Sequence, residues 1–509
     1  MSICVHLCSP LFARVAPVLH DLLVIGGGIN GAGIARDAAG RGLAVMLVEK
    51  DDLASATSSW SSKLIHGGLR YLEQYEFRLV REALQEREVL LRLAPHIIRP
   101  LAFVLPHDAS MRPAWMIRAG LWLYDHLGGR ITLPASRHVA FPHPQYSAGL
   151  KAGIRSGFVY SDCSVDDARL TLVNAMSARE KGATVLTRTR FEGARRVGDA
   201  WEAAIVRAGG TRETVRARAL VNAAGPWVVD VLGDIEGDRI TDRVRLVKGS
   251  HIVVPRVHSQ PHAYILQNPD KRVVFVIPYE ADFSLVGTTD VQVASVGEAR
   301  AITAEETRYL LDAANRFLAE PLAQGDIVSS YAGVRPLYDD GSPNPSEVTR
   351  DYVLKLDAGA SGREPALLTV FGGKITTYRR LAEEALAKLA PSFPAARRPW
   401  THGEALPGGE KGFERVRGEA DARYGALDRE LLAGIVRRHG ARAPLVLGEA
   451  NRIEDLGRSF GAGLTEREVE YMRAQEWAVT ADDVLWRRSK CGLHMTGAQR
   501  AAVRAFMGA

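Results

Sequence analysis

One stretch constrains this chain more than any other: DLLVIGGGINGAGIARDAAGRGLAVMLVEK, residues 21–50. LLVIG has the length and unbroken apolar character of a strand buried on both faces. Gly26, Gly28 and Gly31 then give the spacing GxGxxG. A small-residue helix follows, with Gly40 and Gly42 near its end, and LAVMLVE supplies a second strand that ends in Glu49. The first glycine permits a tight turn, the second lets backbone approach a pyrophosphate, and the third lets helix pack on strand. The helix N-terminus offers free N–H groups and the positive end of its dipole to phosphates. An acid about 20 residues on accepts hydrogen bonds from a ribose, and Glu49 stands there. The unit predicts an α/β fold with a dinucleotide at the strand ends. Nicotinamide and flavin dinucleotides share the adenosine half, so the loop itself does not separate them.

The continuation speaks to that choice. ATSSWSSKLIHGGLRYL is a polar, serine-rich loop that gathers His66, Gly67, Gly68, Arg70 and Tyr71. It makes a poor third element of a simple nucleotide-binding half and a good extended segment along a cofactor. Residues 76–94 have helical apolar spacing. Residues 111–127, rich in apolar and aromatic side chains, read as a buried helix, the alternative being an interfacial segment that touches lipid or quinone. Residues 216–228 read as a strand ending in small residues, a second place for close backbone approach. From 246 to 290 short β-type runs separated by turns predict an antiparallel sheet, with YEAD as a hairpin link. LLTVFGGKITTYRRLAEEALAKL repeats the strand, Gly-Gly, helix order, with Thr376 and Thr377 in the helix's first turn. Beyond about residue 392 the composition turns helical, and Thr465 with Glu468 has capping-box spacing.

Composition narrows the function classes. A chain of 509 residues, 46% hydrophobic and 24% charged, supports two or three folded domains. The net charge of +6 and the pI near 9.1 favour an anionic partner, but no dense Lys/Arg tract interleaved with aromatics argues for nucleic acid. Four cysteines, Cys4, Cys8, Cys163 and Cys491, form no CxxC pair, which fits a reducing compartment and no metal site. No apolar run reaches the about 18 residues of a spanning helix. Residues 1–20 lack a signal-peptide pattern and read as a disordered extension or an early start codon.

VIGGGINGAGIARDAAGRG, SSKLIHGGLRYLE, YSDCSVDDARL, VNAAGPWV, KGSHIVVP, GTTD, GVRPL and FGGKITTYRRLAE follow one another in the chain. In this order they closely resemble the FAD-dependent glycerol-3-phosphate dehydrogenases of the bacterial aerobic type. The resemblance runs from about residue 21 to the C-terminus. It implies a Rossmann-like FAD-binding domain of the D-amino-acid/glycine oxidase type, an antiparallel-sheet substrate domain and a C-terminal all-helical domain. The corresponding boundaries are 1–20 for the extension, 21–105 with 155–240 and 350–392 for the FAD-binding domain, 106–154 with 241–349 for the substrate domain, and 393–509 for the helical domain. It further implies noncovalent FAD, sn-glycerol 3-phosphate as substrate, dihydroxyacetone phosphate as product and a membrane quinone as acceptor. The protein would be a homodimer, peripheral or monotopic on the cytoplasmic face of the inner membrane.

The residues expected to hold the cofactor are Gly26, Gly28, Ile29, Asn30, Gly31, Glu49, Lys50, Thr57, Ser58, Ser61, Ser62, Leu64, His66, Gly67, Gly68, Ala224, Gly225, Gly372, Gly373, Lys374, Thr376 and Thr377. Arg70, Tyr71, Thr288, Thr289, Arg335 and Arg350 are the expected substrate-binding set. Arginine suits bidentate phosphate binding. A hydride leaves C2 of such a substrate while a proton leaves its hydroxyl, so the site needs a proton acceptor, and His66, His251, Arg335 and Lys374 are the catalytic candidates. An imidazole titrates in a suitable range, whereas an arginine base would be unusual. Lys374 could instead stabilise developing negative charge. Three rivals stand beside this reading: a glycerophosphate oxidase that uses oxygen, an amine or amino-acid oxidase of the same fold, and a basic flavoprotein that binds nucleic acid.

Overall fold

The computed structural model describes residues 18–107, 111–129, 132–270, 272–341, 351–359 and 362–508. Two large sheets and a set of C-terminal helices make up the fold. In the first sheet, β1 (Leu19–Ile25) lies at the centre. It pairs in parallel with β2 (Val45–Val48) on one side and with the strand Arg212–Asn222 on the other. Thr184–Leu186 extends the parallel set beyond β2, and Ala366–Phe371 extends it beyond Arg212–Asn222. Antiparallel strands Ala200–Val206 and Val353–Asp357 are added at the margin.

The sequence explains β1 directly. Leu22 and Val24 enter the core on one face, while Leu23 and Ile25 enter the core on the other. Successive side chains of a strand point to opposite faces, so a strand buried on both sides must be apolar throughout. Helix α1 (Ile29–Gly40) packs on the sheet together with the helices Asp167–Glu180 and Tyr378–Leu389. Its small residues allow this: a Cβ on Gly33 would stand 2.7 Å from the Tyr378 ring.

The second sheet has ten strands, and all but one of its pairings are antiparallel. Its long members are Ile98–His107, Ser156–Val165, Val244–Pro255 and Ser329–Tyr338. The boundaries expected at 105/106 and 154/155 are therefore displaced. Ile98–His107 and Ser156–Val165 run side by side along their whole length, and Leu64–Ile65 joins their edge, so all three belong to the second sheet. Ladder pairing, not sequence continuity, assigns them there. The expected limit of the extension at residue 20 also moves, because Leu19 and His20 pair with Arg216 and Ala217. Residues 1–17 lie outside the described residues.

The helix expected to be buried, within 111–127, forms over Ala114–Leu127 but lies at the surface. Only Leu121 and Tyr124 are buried, while Trp115 and Trp122 are 69% and 62% exposed. The C-terminal region is helical apart from the short hairpin Ser459–Gly461 and Leu464–Thr465. There Thr465 makes no side-chain cap. Glu468, its expected partner, is taken instead by Arg438 at 2.6 and 2.7 Å and by His439 at 2.8 Å. Among the described residues, no helix is long and apolar enough to cross a membrane.

Candidate functional site

A cavity runs from the C-terminal ends of the parallel strands to the face of the second sheet. Such strand ends are where open α/β sheets bind ligands. The cavity begins at the turn between β1 and α1. Gly26 has φ +112, and a Cβ there would lie 2.5 Å from the carbonyl oxygen of Ala223. A Cβ on Gly31 would lie 1.9 Å from the Gly26 oxygen, so the third glycine serves helix–strand packing and does not line the cavity. The first N–H groups of a helix have no intrahelical acceptor. Here that of Ile29 is taken by Ser58 Oγ at 2.9 Å, which ties the serine loop to the helix N-terminus. Thr57 in turn donates to the Val334 carbonyl at 2.6 Å, so the same loop bridges to the second sheet.

Glu49 lines this end of the cavity. Its carboxylate accepts from the N–H groups of Gly27 at 2.7 Å and Asp51 at 2.8 Å, one on each oxygen. Each oxygen keeps a lone pair for a ligand hydroxyl. Burial raises the Glu49 pKa, against the two N–H donors. Lys50 lies over the Trp227 ring at 4.2 Å beside it. Ala224 and Gly225 line the cavity from the neighbouring strand end, as Ser61, Ser62 and Leu64 do from the loop.

Gly372, Gly373, Lys374 and Thr376 supply the opposite wall. Asn30 Nδ2 donates to the Gly372 carbonyl at 3.1 Å, and a Cβ on Gly373 would collide with that amide at 2.7 Å. The helix here begins at Tyr378, so Thr376 and Thr377 precede it instead of occupying its first turn. Thr376 accepts from the His66 N–H at 3.3 Å, while Thr377 is buried at the helix start away from the cavity.

At the second sheet the lining becomes cationic: Arg70, Arg272, Arg335 and Lys374 all reach the cavity, and Asp290 is the carboxylate among them. Lys374 Nζ sits 3.8 Å above the Tyr71 ring. Gly68 adopts φ +76, and a Cβ there would lie 2.3 Å from that ring. Arg335 contacts Asp290 and the Thr288 hydroxyl, both at 3.2 Å. Thr288 and Thr289 both line the cavity, but the Thr289 hydroxyl is engaged in a buried polar cluster. It donates to Glu306 at 2.8 Å and accepts from the Ser250 N–H at 2.9 Å. Arg350 lies outside the described residues.

The two histidines differ. His251 is 1% exposed, stacks on Tyr331 with centroids 4.9 Å apart, and bonds Ser62 Oγ through Nε2 at 2.9 Å. Burial holds its pKa well below the ordinary value, and Arg335 and Lys63 lower it further. Both line the cavity, and His66 is the less enclosed of the two. Burial lowers its pKa too, Asp162 opposing and Lys374 assisting. Both imidazoles are thus neutral near pH 7 and able to accept a proton.

Gly67 does not line the cavity; it anchors the loop from behind. Its N–H donates to the Tyr124 hydroxyl at 2.8 Å, which donates to Asp162 at 2.7 Å. Arg87 completes this buried group at 2.8 Å from Asp162.

Sequence reading missed Arg272, Lys63 and Asp162. Arg272 opens a β-type run and carries no motif. Lys63 is buried against Asp167 at 2.9 Å, a partner 104 residues away. Among the described residues no group of three or more His, Cys, Asp or Glu could hold a metal ion.

Gly26 and Gly28 line the cavity where a Cβ would crowd the Ala223 carbonyl and Ser58 Oγ, and Glu49 lines the same end. That arrangement fits the ADP half of FAD. Residues 21–379 match the family of FAD dependent oxidoreductases, and residues 400–508 match the C-terminal domain of alpha-glycerophosphate oxidase. A glycerol-3-phosphate dehydrogenase from Pseudomonas aeruginosa is 54% identical, the alignment covering 96% of this chain and 95% of that one. A D-erythritol 1-phosphate dehydrogenase from Brucella abortus is 53% identical over 96% of this chain and 97% of its own. The crystal structure of a glycerol-3-phosphate dehydrogenase from Bacillus halodurans complexed with FAD superposes with a TM-score of 0.72 at 26% identity, covering 96% and 94% of the two chains. Fold, cavity and sequence agree across nearly the whole length, and the chain belongs to the FAD-dependent oxidoreductases, among the glycerol-3-phosphate dehydrogenases.

Proposed function

We propose that this enzyme oxidises sn-glycerol 3-phosphate to dihydroxyacetone phosphate with noncovalently held FAD. The observation that carries the substrate is the cationic lining of the cavity at the second sheet, where Arg70, Arg272, Arg335 and Lys374 all reach it, Arg335 paired with Asp290 and Arg272 with Asp270. Such a surface suits a phosphate dianion and disfavours an ammonium group, which weighs against an amine oxidase.

FAD, when bound, supplies the hydride acceptor for C2. The protein's residues orient the substrate and manage its proton. Arg70 and Arg335 bind the phosphate, and Tyr71 adds a hydrogen bond. His66, neutral and lining the cavity, accepts the C2 hydroxyl proton. Lys374 stabilises the oxygen as it becomes negative. His251 is enclosed between Tyr331 and Ser62, which suits orienting the wall better than exchanging protons. Gly67 acts from behind the loop through its bond to Tyr124.

The electrons pass on to a membrane quinone, and the protein works as a homodimer on the cytoplasmic membrane surface. The exposed face of Ala114–Leu127, with Trp115, Met116 and Trp122, supports contact with lipid. Flotation with anionic vesicles tests this: partial release by high salt and fuller release by mild detergent are expected. Light scattering in detergent tests the dimer.

The central experiment is anaerobic. The FAD-loaded protein is mixed with sn-glycerol 3-phosphate, an erythritol phosphate, glycerol or glycine, and the visible flavin absorbance is followed. Prompt bleaching by sn-glycerol 3-phosphate is expected. Faster bleaching by the four-carbon phosphate would move the substrate to that of the Brucella relative, and bleaching by glycine would overturn the phosphate reading. Peroxide formed in air in proportion to turnover would replace the quinone by oxygen.

A further inference from the structure

The loop that carries Glu49 is tied to residues of the C-terminal helical region. A π-helical turn over Asp483–Arg488 faces the loop that follows β2. Arg487 Nε donates to Asp52 at 2.5 Å, and Arg488 contacts both oxygens of the same carboxylate, one of them at 2.8 Å. Arg487 also contacts Asp483. Asp483 accepts from Arg188 at 2.7 Å and from the N–H groups of Val479 and Thr480 at 2.8 Å. Asp52, Asp483 and Arg488 are at most 2% exposed.

The cluster touches the cavity through backbone. Asp51, next to Asp52, donates its N–H to the Glu49 carboxylate. Its carbonyl accepts from the Arg188 N–H at 2.8 Å, and the Glu49 carbonyl accepts from the Thr189 N–H at 2.7 Å. Glu49, Lys50, Ala54, Thr189 and Arg190 all line the cavity. The two segments that frame this end, 49–54 and 187–190, are therefore each pinned to the Asp483–Arg488 turn: one through Asp52, the other through Arg188.

We propose that the C-terminal region is a retention clamp for the adenosine half of FAD, with Asp52, Arg487, Arg488 and Asp483 as positioning residues that fix Glu49 through Asp51. Cofactor affinity and docking of the C-terminal region are then linked, and by reciprocity bound FAD tightens that docking. None of the four side chains needs to touch the cofactor.

The test measures FAD affinity and substrate KM separately. Apoprotein is titrated with FAD by quenching of flavin fluorescence, and kinetics are run at saturating FAD. Arg488→Met and Asp52→Asn are expected to weaken FAD binding at least ten-fold while leaving the substrate KM within two-fold. Arg488→Lys should recover part of the loss. Glu468→Gln is the control, since it unbalances a buried pair inside the C-terminal region without touching Asp52. An equal loss of FAD affinity in that control would overturn the proposal in favour of general destabilisation. A lowered apoprotein Tm with unchanged FAD affinity in Arg488→Met would overturn it as well. If Arg488→Met does not fold, Arg487→Gln, which leaves the Arg488–Asp52 contact in place, carries the test. An affinity loss of three-fold or more is then expected, and no loss refutes the clamp.

Discussion

At the Glu49 end of the cavity the lining follows contiguous stretches of small residues, the turn at Gly26, the start of α1 and the strand end at Ala223–Gly225, with Glu49 and Lys50 beside them. At the Arg335 end it is made by side chains carried on four separate segments, with Arg70, Arg272, Arg335 and Lys374 on each in turn. The first end is written contiguously, because a backbone cradle needs small residues at fixed spacing. The second end is assembled by folding, because a charged pocket needs only that cations meet in space. The two ends should accordingly fail in different ways.

Removing the cradle should cost most. In Gly31→Val the new atoms would enter the space of the Gly26 carbonyl, 1.9 Å from an ideal Cβ. Protein that still folds should purify without yellow colour, and flavin absorbance reads this directly. Retained FAD at wild-type stoichiometry would break the contrast. At the other end, His66→Asn should keep its flavin and lose about 100- to 10,000-fold in kcat, the range of general acid–base catalysis. The pH profile sharpens the assignment. Because burial depresses the pKa of His66, the neutral base is present above that pKa and lost only as pH falls through it. The acid limb of kcat/KM should therefore lie below the ordinary histidine range, and a limb at or above it would exclude His66.

Arg335→Ala should raise the substrate KM about 10- to 100-fold, since hydrogen bonds to charged groups contribute about 1.5–3 kcal/mol. FAD affinity should not change. Smallest is Tyr124→Phe, which deletes the hydroxyl between Gly67 and Asp162. A buried group left without its partner costs about 1–3 kcal/mol. With part of that cost falling on the loop, kcat/KM should drop several-fold with FAD retained, and a variant indistinguishable from wild type would make the network structural only.

How far the sequence reached follows the same division. Gly26, Gly28, Glu49, Gly372 and Gly373, singled out from their spacing, line the cavity. Gly31 and Gly67 support the cavity from behind, because the pattern that requires glycine does not say which side of the backbone is crowded. Thr289 was legible as a polar residue but not as one consumed by Ser250 and Glu306, which depends on contacts far along the chain. Arg272 was invisible for the same reason. The helix Ala114–Leu127 misled by composition: apolar content fits a buried helix and a surface one equally, and only packing shows that its tryptophans face outward. Domain boundaries slipped because Ile98–His107 pairs with Ser156–Val165 across a long excursion.

That helix has one more consequence. Its outer face carries Trp115 and Trp122, and its inner face carries Tyr124, which holds the Gly67 end of the active-site loop. Two indoles sensitive to their solvent are thus mounted on the same rigid rod as the hydroxyl that grips the loop. Once the other tryptophans, Trp60 and Trp227 of the cavity wall among them, are replaced, emission from this helix should register a shift of the loop without any label attached.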